Sequence, residues 1–289
     1  MEKNIYLAKA KRSLEGLSVG DSFGELFFGL SPYEVTSAQL PSGTWRWTDD
    51  THMALSIVEV LEKFGYVDQD YLAQAFARRF NQEPHRGYAG GAMRLLTQIS
   101  TGGSWQELSP KLFGTGSFGN GSAMRVAPIG GYFFNDLQQV AEQARLSAVV
   151  THAHIEGQAG AMAVAVAAAI AANDSYPKGN DFLNEVFPYV PSDTITKERI
   201  EFAKQIAPDD LNTARLQLGT GNEVSSQDTV PFCLWCSAHN LDDFEKALWL
   251  TAKGFGDVDT TCAIVGSIVA LSAKEIPALW LQRREPLPR

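Results

Sequence analysis

Apolar residues recur at i, i+3, i+4 and i+7 in segments near 4–18, 50–64, 68–80, 90–100, 136–150, 155–172, 196–206, 226–238, 241–252 and 260–273. This spacing follows the 3.6-residue turn of an α-helix, so each segment is expected to bury one helical face. Few runs alternate with period two, which argues against a sizeable sheet. The pattern predicts an all-α protein. Residues 159–172, AGAMAVAVAAAIAA, are small and apolar on every side. Such a helix can be approached closely all round, and it is expected at the centre of the bundle.

Between the periodic segments lie the glycine-rich stretches GDSFGELFFG, TGGS, GTGSFGNGS and KGFGD. Glycine permits positive φ and close approach to a ligand. Four such stretches predict a cleft built from loops over a helical scaffold. The polar stretch NDSYPKGNDF is read as a surface loop within one domain spanning 1–289.

The composition narrows the function classes. With 289 residues, 45% of them apolar, the chain can bury a large single core. The formal net charge is −9. A negative surface repels phosphate backbones, so general nucleic-acid binding is not expected. A small phosphate-bearing ligand held by backbone amides remains compatible with that charge. The three cysteines fit free thiols in a reducing compartment, and Cys233 and Cys236 are read as one buried helix face. The N-terminal MEKNIYLAKAKRSLEGL has no apolar signal-peptide core, and the alanine run is shorter than the ~20 residues of a bilayer span. A cytoplasmic protein without a membrane partner is expected.

Two helix starts carry unusual chemistry. In WRWTDDTHMALSIVEVL, Thr48, Asp49, Asp50 and Thr51 precede an apolar period; in GFGDVDTTCAIVG, Asp257, Asp259 and Thr260 do the same. One acidic or hydroxyl residue caps a helix and opposes its dipole. Four carboxylates at two helix starts exceed that need. If the two ends face each other, a cation must lie between them. Hard ions such as Mg²⁺ or Mn²⁺ take carboxylate and hydroxyl oxygens, and four carboxylates carry charge for two of them. The DxDT string also resembles the nucleophile motif of haloacid-dehalogenase-type phosphatases. That motif follows a buried strand, whereas here TAKGFG precedes it. In GTGSFGNGSAMRVAPIGG, successive amides offer an anion cradle and Phe118 a stacking face. In THAHIEGQAG, His152, His154 and Glu156 could form a nitrogen-rich zinc site; the reading preferred here is a helix start with one histidine facing the cleft.

Taken together, GLSVGDSFGE (16–25), WTDDT (47–51), GSFGNGSAMRVAPIG (116–130), THAHIEGQAGA (151–161) and GDVDTT (256–261) resemble the ADP-ribosylglycohydrolase family, in the same order over nearly the whole chain. The resemblance implies an orthogonal multi-helix bundle with a dinuclear Mg²⁺ or Mn²⁺ centre, which hydrolyses the C1″ glycosidic bond between ADP-ribose and a modified acceptor. It assigns metal ligation to Thr48, Asp49, Asp50, Asp257, Asp259 and Thr260. It assigns substrate contact to Asp21, Phe118, Gly119, Asn120, Gly121, Ser122, Met124, His152, Gly254, Phe255 and Gly256. Asp50, Asp259 and Glu25 are the expected catalytic groups. Two departures stand out. Val258 replaces the threonine of the more frequent GDTDT. The glutamate that many members carry seven residues after the GD aspartate is Phe28 here, and Glu25 is the nearest carboxylate. That second departure keeps a non-catalytic ADP-ribose reader in view, beside a hydrolase acting on an O-linked product or a modified nucleobase.

Overall fold

The computed structural model describes residues 2–28, 30 and 40–288, the first three of them by backbone alone. The helices are α1 (Glu2–Gly24), α2 (Asp49–Phe64), α3 (Gln69–Gln82), α4 (Gly90–Ser100), α5 (Trp105–Leu108), α6 (Ala127–Tyr132), α7 (Leu137–Val149), α8 (Ile155–Ala171), α9 (Asn180–Val186), α10 (Ile195–Ala203), α11 (Leu211–Leu218), α12 (Ser226–Ala238), α13 (Phe244–Ala252), α14 (Val258–Val269) and α15 (Ala278–Arg283). The described residues contain no strand beyond two isolated bridges, so the protein is all-α. No described helix is long and apolar enough to cross a membrane.

The alanine-rich helix is α8, and it lies at the centre, packed by α6, α7, α12 and α14. Small side chains let neighbouring backbones come in close. At Gly130 of α6, an added Cβ would overlap the Ala165 carbonyl oxygen of α8. All three cysteines are free thiols buried in this core, on α12 and α14.

The sequence reading placed a loop at GDSFGELFFG, and there the structure differs. Helix α1 continues through Gly24, followed by one 3₁₀ turn over Glu25–Phe27; Gly29 lies outside the described residues. The glycines serve contact, not a turn. Gly16, Gly20 and Gly24 recur every four residues along one face of α1. A Cβ at each would overlap the backbone of α14, at Gly266, Cys262 and Val258 in turn. Two bonds tie the same seam: Ser13 Oγ donates to Ser267 O (3.0 Å) and Arg12 Nε to Ala270 O (3.0 Å). The stripe sets Asp21, on α1, beside Asp259, on α14.

A second support comes from the C-terminal segment. Trp45 N donates to Arg283 O (2.8 Å) and Glu285 N to Trp45 O (2.7 Å). The Arg86 guanidinium pairs with both Glu285 oxygens (2.7 and 2.9 Å) and donates to Trp47 O (3.1 Å). The backbone leading into Thr48 is thus pinned before α2 begins. Phe23 stacks on Trp280 (4.6 Å) and meets Trp249 edge-on (5.0 Å), which fills the space behind that entry.

Candidate metal centre and ligand cavity

The N-termini of α2 and α14 meet. Thr48 occupies the cap position of α2 but its side chain does not cap the helix. The cap comes from α1: Asp21, fully buried, accepts the amides of Thr48 (2.9 Å) and Thr51 (3.1 Å) and the Thr48 hydroxyl (2.9 Å). These bonds and the helix dipole favour its charged form, yet burial dominates and raises its carboxyl to about 6. The Thr48 hydroxyl also lies 3.1 Å from Asp50 Oδ2 and 3.5 Å from Asp259 Oδ2. One hydroxyl has one proton, so Thr48 cannot donate to all three carboxylates at once; Asp21 has two amides and the Thr51 hydroxyl besides (2.5 Å).

Asp21, Asp50 and Asp259 each place a carboxylate oxygen within 4.8 Å of the other two, and all three are buried. Asp50 Oδ1 has no hydrogen-bond partner among the described residues. Burial first, and then the neighbouring carboxylates, push Asp50 and Asp259 well above the usual carboxylate range. Burial and then Asp21 raise Asp49 to about 8. An orphaned buried oxygen on one of three clustered carboxylates fits a divalent cation, which would supply the missing positive charge. Asp257 starts α14 without a side-chain cap, and its Oδ2 accepts from Asn120 Nδ2 instead (2.7 Å). Thr260 N donates to Asp259 Oδ1 (2.7 Å).

The cluster opens on a cavity of about 560 Å³, a volume that suits a nucleotide-sized ligand. Its lining holds Asp49, Asp50, Asp257, Asp259 and Thr260 on one side and Phe118–Gly121, Met124 and His152 on another. Phe118 is 43% exposed, its ring edge-on to His154 at 5.5 Å. Phe113, at φ +56, lines the same space.

Several expected substrate contacts lie elsewhere. Asp21 and Ser122 are fully buried, and Ser122 Oγ donates to Gly157 O (2.7 Å). Gly254 packs on Phe232 and Gly256 against Thr220; neither they nor Phe255 line the cavity. Thr48 sits behind the lining. Glu25 is exposed and outside the lining too, its carboxyl raised by desolvation and then by the charge of Asp257. The anion cradle is narrower than the glycines suggested. Gly119 N donates to Ser117 Oγ (3.2 Å) and Asn120 N to Val224 O (3.3 Å).

The histidine motif resolves by hydrogen bonding. Glu156 takes no part in a zinc site: its carboxylate caps α10, accepting from Ile195 N (2.6 Å) and Thr196 N (3.2 Å). His154 caps α8 through Nδ1 (3.2 Å to Glu156 N). His152 faces the cavity. Arg125 Nη2 donates to Thr151 Oγ1 (2.7 Å), and the same hydroxyl is hydrogen-bonded to His152 Nδ1 (2.7 Å). The other ring nitrogen, Nε2, lies against Gly119 and Gly121. Arg125 is a site residue that the sequence does not single out. It is fully buried, stacks on Phe76 at 4.4 Å and holds Gly121 O (2.9 Å), and one arginine inside a glycine motif carries no pattern of its own.

Burial and then Arg125 lower the His152 pKa to about 3. The unfolded chain binds this proton below the ordinary value near 6.5, while the native state does not. Stability should therefore fall as pH drops from about 6.5 toward 3. Replacing His152 with Gln should remove about 1.5 kcal/mol of the loss between pH 6.5 and 5, measured by denaturant unfolding. An unchanged slope would place the histidine in water.

The comparisons with known proteins agree with this architecture. The family model described as ADP-ribosylglycohydrolase matches residues 2–288. An uncharacterized protein of Archaeoglobus fulgidus is 32% identical over 286 residues, covering 95% of this chain and 90% of that one. ADP-ribosylhydrolase ARH3 of Homo sapiens is 24% identical over 327 residues, covering 96% and 90%. Among solved structures, an ADP-ribosylglycohydrolase-related protein complex superposes with a TM-score of 0.71 at 23% identity, over 98% of this chain and 94% of that one. The chain belongs to the ADP-ribosylglycohydrolase family.

Proposed function

We propose that this protein is a divalent-cation-dependent hydrolase that releases ADP-ribose from a modified acceptor by cleaving the bond at C1″. The observation that carries the reading is Asp50 Oδ1, a buried, unpartnered carboxylate oxygen in a three-aspartate cluster at the floor of a nucleotide-sized cavity. Asp49, Asp50, Asp257 and Asp259 would hold two Mg²⁺ or Mn²⁺ ions, with Thr260 beside them and Asp21 and Thr48 fixing the α2 start from behind. Bound cations supply Lewis acidity and neutralise the carboxylates. The side chains do the rest. Phe118 stacks a planar ring at the mouth. His152 presents its imidazole to the cavity beside the Gly119–Gly121 turn, and Asn120 keeps one Asp257 oxygen oriented. Cleavage passes through an oxocarbenium-like sugar, so a water must be held beside C1″. Asp50 takes one proton of that water and returns it to the departing acceptor, which leaves protonated as the hydroxyl joins C1″. Glu25 stands outside the lining and serves as the comparison: wild-type turnover by Glu25→Gln keeps the proton on Asp50, and loss of turnover moves it to Glu25.

The test is release of ADP-ribose from arginine-, serine- and nucleic-acid-linked substrates, with and without EDTA. Hydrolysis of one class, lost in EDTA and restored by Mn²⁺, is the expected result. Phe118→Ala should raise KM about tenfold or more on that substrate, the loss of one stacked ring. The second reading, a non-catalytic ADP-ribose reader, draws on Phe28, 48% exposed where many relatives carry a carboxylate. ADP-ribose binding by calorimetry without turnover of any substrate would favour it. The natural setting proposed is the cytoplasm, with ADP-ribosylated proteins as partners.

A further inference from the structure

One wall segment touches both halves of the cavity. Residues 219–228 run from α11 into α12. On one side Thr220 O accepts the amide of Asp257 (2.9 Å), and Gly221, at φ +88, leaves no room for a side chain against the Asp257 Cβ. On the other side Val224 O accepts the amide of Asn120 (3.3 Å), Ser226 N donates to Phe118 O (2.9 Å) and Ser226 Oγ to Gly119 O (3.0 Å). Asn120 Nδ2 then closes the ring onto Asp257 Oδ2 (2.7 Å). The strap thus fixes the distance between the carboxylate cluster and the loop that carries Phe118.

Val224 holds φ at +51, a conformation that costs free energy for a β-branched residue. Its side chain is 50% exposed, so packing does not offset that cost. What holds the turn is Asp228. Its side chain is buried, Oδ2 accepts the Glu223 amide (2.8 Å), and its backbone O accepts the Gly221 amide (2.8 Å). Gly219, at φ +82, packs directly on the same carboxylate. Arg199 donates to Gln227 O (2.7 Å) and lies 3.9 Å from Asp228 Oδ1.

We infer that Asp228 is a positioning residue. By holding the strap in its strained turn, it seats Asn120 against Asp257 and keeps the two halves of the cavity in register. The functional part of this inference rests on the cavity being an ADP-ribose site. Without Asp228, Val224 relaxes to negative φ and the strap leaves Asn120. Only the fraction of molecules with the strap seated then binds ligand, which raises apparent KM while the bound state reacts as before.

The test is a set of variants in the full chain. Asp228→Ala should raise KM for an ADP-ribosylated peptide about tenfold with kcat within about twofold. Asp228→Asn retains an acceptor for Glu223 N and should stay near wild type. Glycine adopts positive φ at no steric cost, so Asp228→Ala/Val224→Gly should return KM to within about twofold of Val224→Gly alone. Native-state hydrogen exchange needs no substrate: the Asn120 and Asp257 amides should exchange about tenfold faster in Asp228→Ala, since both donate to the strap. Unchanged exchange at these amides, or no recovery in the double variant, overturns the inference. If the wild type neither binds ADP-ribose nor turns over any ADP-ribosylated substrate, the proposed function fails, and exchange alone decides the strap.

Discussion

Asp259→Asn should abolish hydrolysis and Mn²⁺ binding by calorimetry while making the EDTA-treated protein more stable than wild type. The two effects share one cause. Asp21, Asp50 and Asp259 crowd their oxygens within 4.8 Å in a buried site, where like charges interact through little water. An amide at 259 removes one charge and brings N–H donors into a cluster where Asp50 Oδ1 has no partner. The expected gain without metal is about 1–3 kcal/mol, or roughly 2–5 °C in Tm. The cation reverses the order: saturating Mn²⁺ at a hundred times Kd should add about 2.7 kcal/mol to wild type and nothing to the variant. A variant that keeps both the Mn²⁺-induced shift and turnover would remove Asp259 from the site. A variant less stable than wild type in EDTA would show that the carboxylates do not repel.

Gly20→Ala is the second large effect, and it acts on the scaffold. A Cβ at this position would overlap the Cys262 carbonyl, and neither backbone can yield without parting α1 from α14. The expected cost is about 3 kcal/mol or more, a fall of about 5 °C or more in thermal unfolding. Gly90→Ala is the control: nothing lies within 4 Å of its added Cβ, so its change should stay within about 0.5 kcal/mol. Parting the helices also carries Asp21 away from Asp259, so Mn²⁺ affinity should fall in the folded fraction of Gly20→Ala. A neutral Gly20→Ala would mean that the seam is looser than its glycines indicate.

The parts of this protein that were legible in the sequence carry their reason locally. The alanine run announces a close-packed central helix whatever surrounds it. The acidic pairs of TDDT and DVDT exceed what a cap requires, so the surplus charge points to chemistry before any contact is known. Gly20 and Gly24 predict a loop because glycine means either a turn or close contact, and the deciding partner lies in α14. The possible zinc site at His152, His154 and Glu156 fails for a similar reason. Glu156 is committed to the α10 N-terminus, which no spacing around position 156 reveals. Arg125 and Asp228 escaped altogether. Each acts through backbone and hydroxyl partners distant in sequence, and single charged residues leave no period to detect.

The seam between α1 and α14 also bears on synthesis. Gly20 and Cys262 lie about 240 residues apart, so at roughly 5–20 residues per second the ribosome completes α14 some ten to fifty seconds after α1 has emerged. Throughout that interval the first helix exposes a notched, partnerless face, and Asp21 waits without its companion at 259. Closing so long a loop makes this contact a late and slow event in folding. The carboxylate cluster, and any cation site built on it, therefore cannot form until α14 has been made.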